Sequence, residues 1–280
     1  MHCHMCILTR ERLTLISKMF RIFLMEGKKG MGIQKVDRKN NRYFGKRFSI
    51  LGDSISTFEG YNPCGYKVFY NGENCIKSGV IQVEDTWWNH VIRFLGGELL
   101  INNSWSGSRV TKLPEIDQLF PSGCSDERTS NLHIGNETPD VIIVYLGTND
   151  WAFGAATGND TCILNQDPYE RFDDAYLAML RKIKKNYPQS EVWCCTLNTT
   201  FMSGNIRFQF PYSYGGNHIE EYNEIIRCVA RENQCSIIDL YVYNQPYDTL
   251  DGTHPNRKGM KTLSQLILRE IDRAGAAINS

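Results

Sequence analysis

Ser54, Asp251 and His254 carry the side chains of a nucleophile, an orienting carboxylate and a base. A serine hydroxyl attacks poorly until a base takes its proton, and a neutral imidazole hydrogen-bonded to Oγ is the usual base near neutral pH. Of the six histidines, His2 and His4 lie near the N-terminus, His90 falls in an expected helix, and His133 and His218 fall in polar connections. Only His254 follows a carboxylate at three residues and precedes a proline, in Asp251-Gly252-Thr253-His254-Pro255. In a turn, that spacing lets Asp251 reach Nδ1 and fix the tautomer that leaves Nε2 able to accept a proton. Acyl transfer through a serine also needs donors for an oxyanion. Gly107, in Ser106-Gly107-Ser108, offers a backbone N–H that no side chain screens; Asn149, in Gly147-Thr148-Asn149-Asp150, offers an amide N–H.

Each segment also has an ordinary reading. Asp and Ser in Gly52-Asp53-Ser54 favour turns and helix caps, Gly107 can mark a plain turn, and Asn149 can bond its own turn. Thr253 can cap a helix that Pro255 opens, with Asp251 as a turn former. What unites the segments is where the fold must put them.

Phe48-Ser49-Ile50-Leu51, stopped by Gly52, has the pattern of a buried parallel strand, so Ser54 sits just past a strand end. A long loop rich in aromatics follows, until Asp85 or Thr86 caps a helix carrying Trp87, Trp88, Val91, Ile92 and Leu95. A second strand, Glu98 to Asn102, leads into the Gly107 segment. Val141 to Leu146 is the clearest buried strand, and it places Asn149 at another strand end. Helix Pro168 to Tyr187, strand Val192 to Leu197, helix Asn217 to Glu232, strand Ser236 to Leu240 and helix Pro255 to Ala274 complete the alternation. Such alternation predicts a parallel sheet covered on both faces, with ligands beyond the strands' carboxyl ends, where every candidate residue falls.

Ser54, Gly107, Asn149 and Asp251 with His254, in this order, resemble the four blocks of the SGNH hydrolases, the GDSL-type esterase and lipase superfamily. The resemblance covers about Arg47 to Arg273. It implies a three-layer α/β/α sandwich with a parallel, flavodoxin-like sheet, and ester hydrolysis by a Ser54-His254-Asp251 triad. It further implies an oxyanion hole of the Ser54 N–H, Gly107 and Asn149, with no metal and no organic cofactor. Ile55 stands where the name motif has leucine, which leaves the nucleophile untouched. The loop after Ser54 is longer than a minimal member needs. An α/β-hydrolase is a poor fit, because Ser56 occupies the last position of the Gly-x-Ser-x-Gly elbow.

Around these positions, Trp105, Arg109, Asp150 and Trp151 are the expected substrate contacts. Trp105 and Trp151 form either pocket wall or core, and Arg109 binds either a substrate carboxylate or Glu115 or Asp117 nearby. Phe201 to Gly216 is a second aromatic segment, read as a lid, as packing or as a dimer surface.

The 280 residues, 41% hydrophobic, suffice for one catalytic domain over 47–280, with 1–46 an appendage unlike the rest. Lys plus Arg and Asp plus Glu balance at 31 each, so charge gives no footprint for nucleic acid or an anionic membrane. The expected partner is a small-molecule or carbohydrate ester. Ten scattered cysteines, with Cys194-Cys195 inside an apolar run, do not form a disulfide framework, and Lys18 and Arg21 interrupt the apolar stretch from Leu13. A reducing, cytoplasmic setting is therefore expected. The cluster from His2 to Cys6 has metal-ligand types without a partner cluster. Acyl transfer to an alcohol, or carbohydrate binding without catalysis, remain as alternative uses of the same fold.

Overall fold

A computed structural model describes residues 41–113, 121–158, 168–202, 212–213 and 216–278. The His2 to Cys6 cluster, the apolar stretch from Leu13, Glu115, Asp117 and most of the second aromatic segment lie outside the described residues. The chain divides after Asn40, and the described residues belong to the unit Asn41–Ser280. Tyr43 is buried and meets Trp193 edge-on, their ring centroids 5.1 Å apart.

Strands β1 (Arg47–Gly52), β2 (Glu98–Ser104), β3 (Val141–Tyr145), β4 (Glu191–Cys195) and β6 (Ser236–Ile238) form one sheet in the order β2-β1-β3-β4-β6. Every neighbouring pair is parallel. The chain steps from β1 to β2 on one side and returns to β3 on the other, the strand order of flavodoxin-like folds, which opens a crevice beyond the ends of β1 and β3. β5 (Thr200–Met202) and β7 (Tyr247–Thr249) make a separate parallel pair.

The sequence of β3, Val-Ile-Ile-Val-Tyr, is buried throughout because both of its faces are covered. Ile142 and Val144 point into one apolar layer, with α5 (Phe172–Asn186) and α6 (Ile219–Glu232); Val141, Ile143 and Tyr145 point into the other, with α2 (Trp87–Phe94) and α7 (Arg257–Ile278). The alternation is the two-residue period of a strand. On α5, Phe172, Ala175, Tyr176, Met179, Leu180 and Ile183 form one buried stripe at helical spacing. Each large apolar side chain so buried stabilises the fold by roughly 1.5–3 kcal/mol. The three-layer expectation therefore holds.

Boundaries move for local reasons. Thr86, not Asp85, caps α2, its side chain accepting the Asn89 N–H. α5 starts at Phe172, because Pro168–Glu170 form a separate 3-10 turn. His218 caps α6, accepting the Glu220 N–H, which occupies this histidine at a helix end. Three short helices lie where loops were expected: α1 (Gly72–Ser78), α3 (Asp126–Ser130) and α4 (Thr148–Ala152). None is long enough to show an apolar period. No described helix is long and apolar enough to cross a membrane.

Candidate active site

Ser54 opens a single 3-10 turn, Ser54–Ser56, directly after β1. The chain must be glycine at 52, since a Cβ there would sit 2.8 Å from both Ser104 Oγ and Ser56 Oγ. Asp53 Oδ1 accepts the Ile55 N–H at 3.0 Å and so closes the turn that aims Ser54. Ser54 itself is only 4% exposed.

His254 lies between β7 and α7. Its Nε2 is 2.8 Å from Ser54 Oγ, and its Nδ1 is 2.7 Å from Asp251 Oδ2. With the proton on Nδ1, that nitrogen donates to Asp251 and Nε2 accepts from the serine hydroxyl. Asp251 Oδ1 accepts the backbone N–H groups of Thr253 (3.1 Å) and His254 (2.9 Å), so one carboxylate shapes the turn and orients the ring. Burial pushes the Asp251 carboxyl up, but hydrogen bonds from the His254 side chain and the two N–H groups, with the His254 charge, hold it below its ordinary value. The cap of α7 is Asn256, whose Oδ1 accepts the Lys258 and Gly259 N–H groups at 3.0 Å each. Thr253 is thus not the cap, and Asp251 is more than a turn former.

Trp105 to Ser108 form a turn closed by the Ser108 N–H on Trp105 O at 3.0 Å. Gly107, third in this turn, has φ 88°, a conformation open to glycine and strained for other residues. The Trp105 N–H donates to Gly52 O at 3.1 Å, which sets the turn against the strand end that carries Ser54. Asn149, in the first turn of α4, donates from Nδ2 to Ser108 O at 2.8 Å, leaving its second amide hydrogen. Among the described residues, the N–H groups of Ser54 and Gly107 have no hydrogen-bond partner. Backbone N–H groups and a side-chain amide are the donor types that an oxyanion hole uses.

The four expected substrate contacts divide. Trp105 is partly exposed, its ring 4.0 Å from that of Tyr66. Asp150 is wholly buried and accepts the Val110 N–H (2.8 Å), the Thr111 N–H (2.9 Å) and the Thr111 hydroxyl (2.7 Å). Its carboxylate therefore fastens the segment after Gly107, which corrects the expectation of a substrate contact. Trp151, 4% exposed, belongs to the core and donates from Nε1 to Asn217 O at 3.0 Å, so the core reading replaces the pocket wall. Arg109 lies 3.9 Å from Asp150 and packs its guanidinium 6.0 Å from the Phe153 ring centroid.

Two neighbours carried no signal in the sequence. Phe69, from the long loop after Ser54, stacks on the His254 ring with centroids 3.4 Å apart and planes 7° from parallel. Arg128, from α3, lies wholly buried behind β1 and β2. Neither position shows its partner by spacing.

The chain also matches known proteins in sequence and in fold. The model of the GDSL-like lipase/acylhydrolase family matches residues 46–207. That span takes in Ser54, Gly107 and Asn149 and ends before Asp251 and His254. A multidomain esterase of Ruminococcus flavefaciens is 27% identical over 178 residues, 60% of this chain and 20% of that protein, so the chain spans about a fifth of its relative's length. A candidate GDSL-like lipase from Bacteroides ovatus superposes with TM-score 0.61 at 26% identity, over 82% of this chain and 99% of that one. A carbohydrate acetylesterase from Sinorhizobium meliloti shares the fold at 15% identity and TM-score 0.53, over 82% and 99% of the two chains. Because the family match covers more than half of the 280 residues, the chain belongs to the GDSL-like lipase/acylhydrolase family.

Proposed function

We propose that the chain is a serine esterase that hydrolyses a short-chain acyl ester, acetyl in the first instance, of a small molecule or carbohydrate. The observation that carries this reading is the continuous relay from Ser54 Oγ through His254 to Asp251, at 2.8 and 2.7 Å. In the first half-reaction Ser54 Oγ bonds to the ester carbonyl carbon as its proton passes to His254 Nε2. The carbonyl electron pair moves onto oxygen, where the Ser54 and Gly107 N–H groups and the Asn149 amide receive it. Collapse breaks the bond to the alcohol, which leaves with the proton from His254. Water then repeats the sequence on the acyl-serine and releases the acid.

The partly exposed Trp105, paired with Tyr66 two residues before Gly107, suits a sugar ring beside the ester. The relative from Ruminococcus flavefaciens is itself called an esterase, which fits. Acid release from short-chain aryl esters and acetylated sugars tests the reading, with Ser54→Ala beside wild type. The substitution should lower kcat by about 10⁴-fold or more. Equal rates in the two proteins overturn the mechanism, and turnover that requires an added alcohol reassigns the chain to acyl transfer.

A further inference from the structure

Arg128 is 0% exposed, and all five of its N–H groups are satisfied. Nε donates to Asn103 Oδ1 at 2.8 Å; Nη1 donates to Ser108 Oγ at 2.7 Å and Pro121 O at 3.2 Å; Nη2 donates to Gly52 O at 3.0 Å and Asn103 O at 2.9 Å. These acceptors are not a random sample of the interior. Gly52 O lies two residues before the nucleophile, Asn103 is the penultimate residue of the neighbouring strand, and Ser108 follows Gly107. Ser108 is also the residue whose carbonyl takes the Asn149 amide at 2.8 Å. One guanidinium thereby ties the segment that bears Ser54 to the segment that bears Gly107, and Ser108 in turn takes the Asn149 amide.

Its charge is as telling as its hydrogen bonds. Among the described residues no carboxylate lies within ion-pair distance of Arg128. Burial pulls the guanidinium down to about 10, which leaves it charged at neutral pH. A buried cation hydrogen-bonded to neutral acceptors, with Glu127 and Asp53 attracting it from further off, still costs the folded state desolvation. Hydrophobic side chains would hold β1 and β2 together without that cost. What a fixed positive charge adds is attraction for negative charge that develops nearby in a low-dielectric site.

We propose that Arg128 is a positioning residue for the oxyanion hole, holding the Gly52 and Asn103 carbonyls and the Ser108 side chain in register and adding a fixed positive charge behind the donors. This rests on the esterase reading of Ser54. Arg128 touches no reacting atom and acts through the groups it holds. Its effect therefore belongs to the transition state, where the oxyanion exists, and not to binding of the neutral ester.

The experiment measures kcat and KM on a short-chain aryl ester for wild type, Ser54→Ala, Arg128→Lys, Arg128→Gln and Ser108→Ala, with folding followed by circular dichroism. Inhibition by a boronate, whose serine adduct is an anionic tetrahedron, is measured alongside. Arg128→Gln should lose about 10²-fold in kcat with KM within about threefold. Arg128→Lys, which keeps the charge but not the fork, should fall between, and Ser108→Ala should lose several-fold. Boronate affinity should fall in parallel with kcat. A folded Arg128→Gln with wild-type kcat, or a loss confined to KM, overturns the proposal. If both Arg128 variants fail to fold, Ser108→Ala at wild-type kcat and boronate affinity overturns it. A wild type no faster than Ser54→Ala removes the esterase reading, and this inference with it.

Discussion

Phe69 has no acid, base or nucleophilic chemistry, yet its ring lies flat on His254 at 3.4 Å. The stack fixes the plane of the imidazole between Asp251 and Ser54. On the esterase reading, the π face also faces the imidazolium that forms when Ser54 gives up its proton. Phe69→Ala should lower kcat about tenfold with less change in KM, and Phe69→Leu, which keeps bulk without the π face, should fall between. Steady-state kinetics on one aryl ester decides this, and activity of Phe69→Ala within twofold of wild type sinks it. The pairing of Asp251 with His254 was legible in the sequence because Asp-x-x-His closes its own turn, a local relation. Phe69 reaches His254, and Arg128 reaches Gly52, only through tertiary folding, so spacing could not show either. Asp150 misled for the converse reason: its place beside Asn149 suggested substrate, whereas its carboxylate is used on Val110 and Thr111.

The main strands and long helices were readable because burial writes an apolar run into about five residues of a strand and a helical period into a dozen or more of a helix. The short elements that shape the site were not. α1 spans Gly72–Ser78 and is held by a Glu73 to Lys77 pair and by Gly79 at φ 73°, none of which alters apolar periodicity. The turn bearing Gly107 is shorter still, and here, on the esterase reading, backbone conformation itself serves the reaction. At φ 88° an alanine incurs roughly 1–3 kcal/mol of strain, and relief of that strain rotates the N–H away from the oxyanion. Gly107→Ala should therefore lose about 10- to 100-fold in kcat while its melting temperature drops only a few degrees. A variant that melts like wild type and turns over at the wild-type rate would show that this N–H takes no part.

Taken as a molecule, the protein gathers its chemistry where the strand order reverses. Ser54 follows β1 and Asn149 follows β3, the two strands that flank the crevice, and His254 is delivered from beyond the β5 and β7 pair. Parallel strands all present their carboxyl ends on one side, so segments remote in sequence meet there. This is why the sheet pattern, once read, placed the candidate residues on one edge.

The same crowding buries charge that the whole fold must bear. Asp53 is 1% exposed, its Oδ2 has no hydrogen-bond partner, and its carboxyl is pushed up to about 7. Burial is the main cause and nearby Asp150 adds to it, while the Ile55 N–H and Arg128 oppose it. Between about pH 4 and 7 the folded chain therefore keeps a proton on Asp53 that the unfolded chain has lost. Because the folded state binds more protons in that window, the Asp53 contribution to stability is fully present below about pH 4 and declines as pH rises to about 7, beyond which it is flat. Asp251 works the opposite way, since its lowered carboxyl adds stability that is lost as pH falls. Subtracting Asp53→Asn from wild type isolates the first effect, because asparagine keeps an oxygen for the Ile55 N–H and cannot ionise. The difference in unfolding free energy, from urea titrations at half-unit pH intervals, should shift steadily against wild type from pH 4 to 7. A difference that stays level across that window would mean that Asp53 ionises in the folded protein as readily as in the unfolded chain.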